Sequence, residues 1–172
     1  MKKPCFRISA LLLIASLLIP VAASAHYWAS GYNLYSMSYA SVDNDNGVCY
    51  QGAQNWQTAV GTTMTQNSGS GNKCYYRSGY LETWYGLYSK PNTYFTIKIN
   101  KDKLSADYPG YLWNASVSTS THEFGHAQYL ADLDETGTPA YKTTSIMSYA
   151  RDRKTMTTPQ SHDISDIQSM RN

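Results

Sequence analysis

The chain has 172 residues, 42% of them hydrophobic, with 14 basic and 12 acidic side chains and a formal charge of +2. So even a balance excludes the clustered basic surface of a nucleic-acid binder, and the length suits one domain around one core. Its 16 Tyr and 4 Trp supply too much apolar area for a disordered chain.

Residues 1–25 read as an export signal. Lys2, Lys3 and Arg7 precede an apolar run over residues 8–19, and Ala23-Ser24-Ala25 is a small-residue cleavage sequence. The run is too short to cross a bilayer and no second one follows. Residues 26–172 are therefore expected to be secreted as one domain with no membrane anchor, beginning at His26. Three of the 14 basic residues go with the signal, which leaves 11 against 12 acidic ones and a formal charge of −1. Two cysteines remain, Cys49 and Cys74. An even pair in an exported chain predicts a disulfide, worth about 3–4 kcal/mol in the loop-entropy picture.

Residues 28–41 read as a first strand, with Tyr35, Met37 and Tyr39 alternating against Ser36 and Ser38. Asp43-Asn44-Asp45-Asn46-Gly47 is a turn whose glycine spacing does not fit a calcium loop. Residues 51–64 carry Trp56, Ala59 and Val60 at helical spacing and predict a first helix. A Ser/Gly loop over residues 67–72 follows, then strand-like runs over residues 80–88 and 93–100. In the second run Phe95, Ile97 and Ile99 share one side. After the turn Asp107-Tyr108-Pro109-Gly110, a helix is expected from Asn114 or Ser116, with Val117, Phe124 and Leu130 toward the core. A Ser/Thr-rich loop over residues 136–145 leads to Ile146-Met147. Thr158-Pro159 opens a last helix through Met170, with Ile164 and Ile167 inward.

His122-Glu123-Phe124-Gly125-His126 lies in the expected central helix. Residues i and i+4 share a helix face, so both imidazoles can reach one metal ion, and Glu123 stands beside them as a base for bound water. A catalytic zinc site needs a third protein ligand and an open fourth position. Only Glu135 follows as a glutamate, too close to come from a later helix, and His162 is the only later histidine. Asp132 reaches the metal if the helix breaks near Tyr129 and the chain turns back. Asp134 and His162 are the alternatives.

The series His122-Glu123-x-x-His126-x-x-Tyr129-x-x-Asp132 resembles the metzincin signature HExxHxxGxxH, in the branch where Asp replaces the last His, as in snapalysin. Ser145-Ile146-Met147-Ser148-Tyr149 is similar to the Met-turn of that clan, and its Tyr resembles the astacin and serralysin pattern. The resemblance covers residues 97–100 and 114–167, about a third of the chain. It implies an α+β fold, with a twisted mixed sheet that has an antiparallel edge, a backing helix, the active-site helix, and a small C-terminal part holding the Met-turn and a final helix. It also implies Zn(2+) on His122, His126 and Asp132, Glu123 as general base, and Met147 packed beneath the metal. Tyr149 would coordinate zinc or donate to the tetrahedral intermediate. Protein or peptide substrates would bind along a sheet edge, and a monomer is expected. Calcium dependence is not readable. One departure stands out: Tyr129 occupies the family's glycine position, where a left-handed φ is strained for any residue with a Cβ. A zinc amidase acting on cell-wall peptides and a zinc-stabilised toxin-like or binding module are the alternatives to a metalloendopeptidase.

Overall fold

The computed structural model of the chain describes residues 26–43 and 46–172. The export signal read in residues 1–25 lies outside the described residues, as do Asn44 and Asp45 of the turn. Five strands form one mixed sheet in the order β2-β1-β3-β5-β4. They are β1 (Ser36–Val42), β2 (Thr63–Gln66), β3 (Lys73–Arg77), β4 (Gly86–Ser89) and β5 (Thr96–Asn100). All pairings are parallel except that of β4, which lies antiparallel on β5 with Leu87 opposite Lys98. Met37, Tyr39, Tyr76, Ile97 and Ile99 point into a core shared with Trp56 and Phe124.

Helices α1 (Val48–Val60) and α3 (Leu112–Ala127) supply the other side of that core. They meet closely because Gly52 has no side chain. A Cβ there would lie 2.2 Å from Ser120 Oγ. The indole of Trp56 donates to the Thr121 carbonyl at 2.7 Å and pins the crossing. A disulfide joins Cys49 of α1 to Cys74 of β3, with both residues fully buried, as the even cysteine pair predicts. Helix α2 (Lys101–Asp107) is capped by Asn100, whose side chain accepts from Lys103 N, and α4 (Ser161–Arg171) closes the chain.

Several expected boundaries move. The first strand is Ser36–Val42 and not residues 28–41, because the chain before it is used elsewhere: Tyr32 N and Asn33 N both donate to the Ala127 carbonyl. The first helix starts at Val48, after Gly47 at φ 84°, and stops at Gly61, φ 71°. Two glycines in the left-handed region thus set both of its ends. Thr63–Gln66, expected in the helix tail, pairs parallel with β1. The run over residues 80–88 contributes only Gly86–Ser89. The last helix begins at Ser161, past Pro159, because the Asp163 carboxylate accepts from Gln160 N at 2.7 Å in a capping box.

Candidate active site

Helix α3 carries His122, Glu123 and His126, all buried. Gln128 N and Leu130 N both donate to the Gly125 carbonyl, so the helix stops at Ala127. Tyr129 then takes φ 70° and the chain reverses. This is the position of the glycine in the metzincin signature that the sequence resembles, and the tyrosine adopts the left-handed conformation all the same. Its ring is stacked on Tyr27 at 5.6 Å, its hydroxyl donates to the Tyr32 carbonyl at 3.1 Å, and Gly31 leaves room for it.

The reversal brings Asp132 to the histidines. Its Oδ1 lies 3.0 Å from His122 Nε2 and 3.3 Å from His126 Nε2. The opposite ring nitrogens face backbone carbonyls, His122 Nδ1 at 3.0 Å from Ile146 O and His126 Nδ1 at 2.8 Å from Leu130 O. A carbonyl can only accept, so each Nδ1 carries the proton and a neutral ring turns its Nε2 lone pair inward. Asp132 Oδ1 is buried there without a hydrogen-bond donor. Lone pairs that converge in this way suit a divalent cation. Bonds of about 2.0–2.1 Å in a tetrahedron put ligand atoms about 3.3 Å apart, close to the separations seen. The residues therefore fit zinc.

The electrostatics differ between the two rings: burial works against charge on His126, but Asp132 and Glu123 beside it raise it above the ordinary imidazole value. Burial, with Arg151 nearby, pushes His122 down to about 3 and keeps it neutral. Burial works against the Asp132 carboxylate, yet positive charge on the imidazole side holds it far below the usual carboxylate range, and a cation held between the lone pairs would supply that charge in place of ring protons. Burial also pushes the Glu123 carboxyl up to about 7, against the opposing pull of His126. Glu123 faces β4, where a Cβ on Gly86 would fall 2.3 Å from its Oε1.

The segment after the loop closes the site from below. Leu133 N donates to the Met147 carbonyl at 3.1 Å and Tyr149 N to the Leu133 carbonyl at 2.9 Å, which ties residues 145–149 to the Asp132 loop. Met147 is buried under Gly125, where a Cβ would meet its Sδ at 2.5 Å. Asp163 anchors this turn from α4, accepting from Ser145 Oγ and, at 2.7 Å, from Ile146 N. Tyr149 is half exposed, and its hydroxyl lies 3.4 Å from Asp132 Oδ2.

The two alternative third ligands are placed elsewhere. Asp134 accepts from Ala140 N at 2.9 Å and Ser148 Oγ at 2.5 Å, which fixes the loop. His162 meets His26 and Asp166. Sequence reasoning missed Arg151 and Arg153, which line the cleft with Trp84, Tyr85, Glu123 and Tyr149. Arg151 is buried, with Nε donating to Ser118 Oγ at 3.1 Å and Nη1 to the Ser148 carbonyl at 2.9 Å. Burial, reinforced by Arg153, lowers it to about 9. The Arg153 guanidinium lies 4.6 Å over the Tyr85 ring. Among the described residues, neither arginine has a carboxylate within 4.0 Å. Nothing in Arg151-Asp152-Arg153 distinguishes it, as sequence, from a solvated charge cluster.

No protein-family model matches the chain, and no curated protein matches it. Solved structures share its fold, two of them as follows. A chain of the GM1-bound form of the ECX AB5 holotoxin superimposes with a TM-score of 0.56 at 15% identity, over 82% of this chain and 84% of that one. Myroilysin superimposes with a TM-score of 0.52 at 14% identity, over 87% of this chain and 97% of that one.

Proposed function

We propose that the chain is a secreted zinc-dependent endopeptidase of metzincin type. The observation that carries this reading is the convergence of His122 Nε2, His126 Nε2 and Asp132 Oδ1 on one point, with Glu123 beside them in an open cleft. Zinc held there would supply the Lewis acidity that makes water a nucleophile near neutral pH and polarises a carbonyl. The protein's own groups do the rest. Glu123, poised near neutrality, takes the proton of the attacking water and delivers it to the leaving nitrogen. Tyr149, half exposed at the cleft mouth, donates its hydroxyl to the developing oxyanion. The β4 strand is the antiparallel edge of the sheet and borders Glu123 through Gly86, so an extended peptide laid along it pairs main chain to main chain. Met147 supports the site by packing, since a thioether is a poor partner for zinc.

Arg151 and Arg153 refine the substrate. Two buried guanidinium groups that, among the described residues, have no carboxylate within 4.0 Å favour an acidic group beside the scissile bond. An acidic cell-wall peptide would satisfy the same groups, so casein and purified cell wall are tested side by side. Glu123→Ala is expected to lower hydrolysis about 10²–10⁴-fold while zinc content stays at the wild-type value. Activity retained in that variant sinks the mechanism. Zinc bound with no hydrolysis of either substrate by the wild type would instead support a toxin-like or binding module.

A further inference from the structure

His26, His162 and Asp166 form a second cluster of metal-ligating groups that the proposed hydrolysis does not use. His162 and Asp166 stand one turn apart on the same face of α4. His26, from the start of the described chain, folds back onto them. His162 Nε2 lies 3.1 Å from His26 Nδ1, and Asp166 Oδ2 lies 3.4 Å from His26 Nδ1 and 3.5 Å from His162 Nε2. These are the edges of a triangle matching the ligand spacing of about 3.3 Å in a tetrahedral site with bonds of about 2.0–2.1 Å. In the Asp132 cluster the two carboxylate–imidazole edges are 3.0 and 3.3 Å.

Two further observations point to a cation. Asp166 is 1% exposed, its Oδ1 has no hydrogen-bond partner, and among the described residues no Lys or Arg pairs with it. A carboxylate so buried needs positive charge nearby. The rings are also held in place: Tyr141 stacks on His162 at 4.4 Å and meets His26 edge-on at 5.4 Å. Access remains open on one side, because the His26 side chain is 34% exposed.

We propose that His26 Nδ1, His162 Nε2 and Asp166 Oδ2 bind a second divalent transition-metal ion, zinc or copper(II), which ties the start of the folded chain to its last helix. Two imidazoles and one carboxylate suit both ions, and copper(II) binds such sets more tightly at equal availability. A cut between Ala25 and His26 would add a donor. The His26 backbone nitrogen, 3.3 Å from Asp166 Oδ2, would become a free amine able to chelate together with Nδ1 of its own ring.

The protein is expressed as the full chain, its N-terminus is read by mass spectrometry, and it is stripped with chelator. It is then loaded with zinc chloride or copper sulfate and its metal counted. The wild type is expected to hold two equivalents. His126→Ala, which dismantles the Asp132 cluster, should keep one, and the copper-loaded form should show nitrogen splitting in its paramagnetic resonance spectrum. Adding His162→Ala to that background should remove the remaining ion and its thermal stabilisation. If that double variant does not fold, as judged by circular dichroism, His26→Ala serves in its place at a partly exposed position. No metal in His126→Ala, with a melting temperature indifferent to both ions, overturns the proposal and leaves the cluster an ion pair. So does an ion that survives both His162→Ala and His26→Ala.

Discussion

Tyr129→Gly and Tyr129→Ala form a pair whose difference isolates backbone strain at the end of helix α3. At φ 70° Tyr129 occupies the left-handed region, where a residue with a Cβ sits about 1–2 kcal/mol above its right-handed alternative. Both variants lose the same contacts: the ring stacked on Tyr27 at 5.6 Å, the hydrogen bond to the Tyr32 carbonyl, and the fit against Gly31. For a half-buried ring and one hydrogen bond, that loss is about 2–4 kcal/mol. Glycine escapes the strain but gives the unfolded chain extra freedom, which offsets about 0.5–1 kcal/mol of the relief. Tyr129→Ala is thus expected to be destabilised by about 2–4 kcal/mol, and Tyr129→Gly by about 1 kcal/mol less. The gap corresponds to about 2–4 °C in melting temperature. Urea unfolding in the presence of chelator measures it without any contribution from bound metal, provided the slopes agree. An alanine variant as stable as the glycine variant would refute the claim that the native tyrosine is strained and held by its neighbours.

Gly86→Ala should leave metal content unchanged yet lower hydrolysis about 10²-fold, because a Cβ 2.3 Å from Glu123 Oε1 displaces the base by roughly an ångström. Wild-type activity in that variant would show that Glu123 does not work from the position described. Asp132→Ala should lose zinc on dialysis and become as inactive as the chelated wild type; unchanged zinc affinity would place the third ligand elsewhere. Arg153→Gln should lower kcat/KM about 10–100-fold for peptides with Asp or Glu beside the scissile bond and leave neutral analogues little changed. An equal loss on both would assign Arg153 to packing on Tyr85.

The candidate site was legible because its parts are local. The i, i+4 rule puts His122 and His126 on one face whatever the rest of the chain does, and Asp132 follows within one reversal of the backbone. Cys49 and Cys74 were legible by exclusion, as the pair left once residues 1–25 are read as an export signal and set aside. What escaped was set by partners far along the chain. Lys73–Arg77 has no period of its own and becomes a strand only because β1 and β5 flank it. Residues 28–35, read as part of the first strand, instead send Tyr32 N and Asn33 N to the Ala127 carbonyl at the end of α3. Arg151 and Arg153 acquire meaning only when folding leaves them, among the described residues, with no carboxylate within 4.0 Å, and the fit of Gly86 to Glu123 depends on the register in which β4 pairs with β5.

Helix α3 is buried at every position over residues 115–127, although five of these are Ser or Thr. The hydroxyls of Thr119 and Thr121 return to the carbonyls of Ala115 and Val117, at 2.8 and 2.9 Å, so they sit in the interior satisfied. Small side chains of this kind let Gly52 approach Ser120 at a distance no larger residue would permit. The usual route to a hardier protein, filling the interior with bulkier hydrocarbon, is therefore closed along the central axis of this molecule. Variants that withstand more heat must arise at its periphery, in loops, termini and cross-links. The helix that bears the candidate site should then drift more slowly than the shell around it, for reasons of space alone.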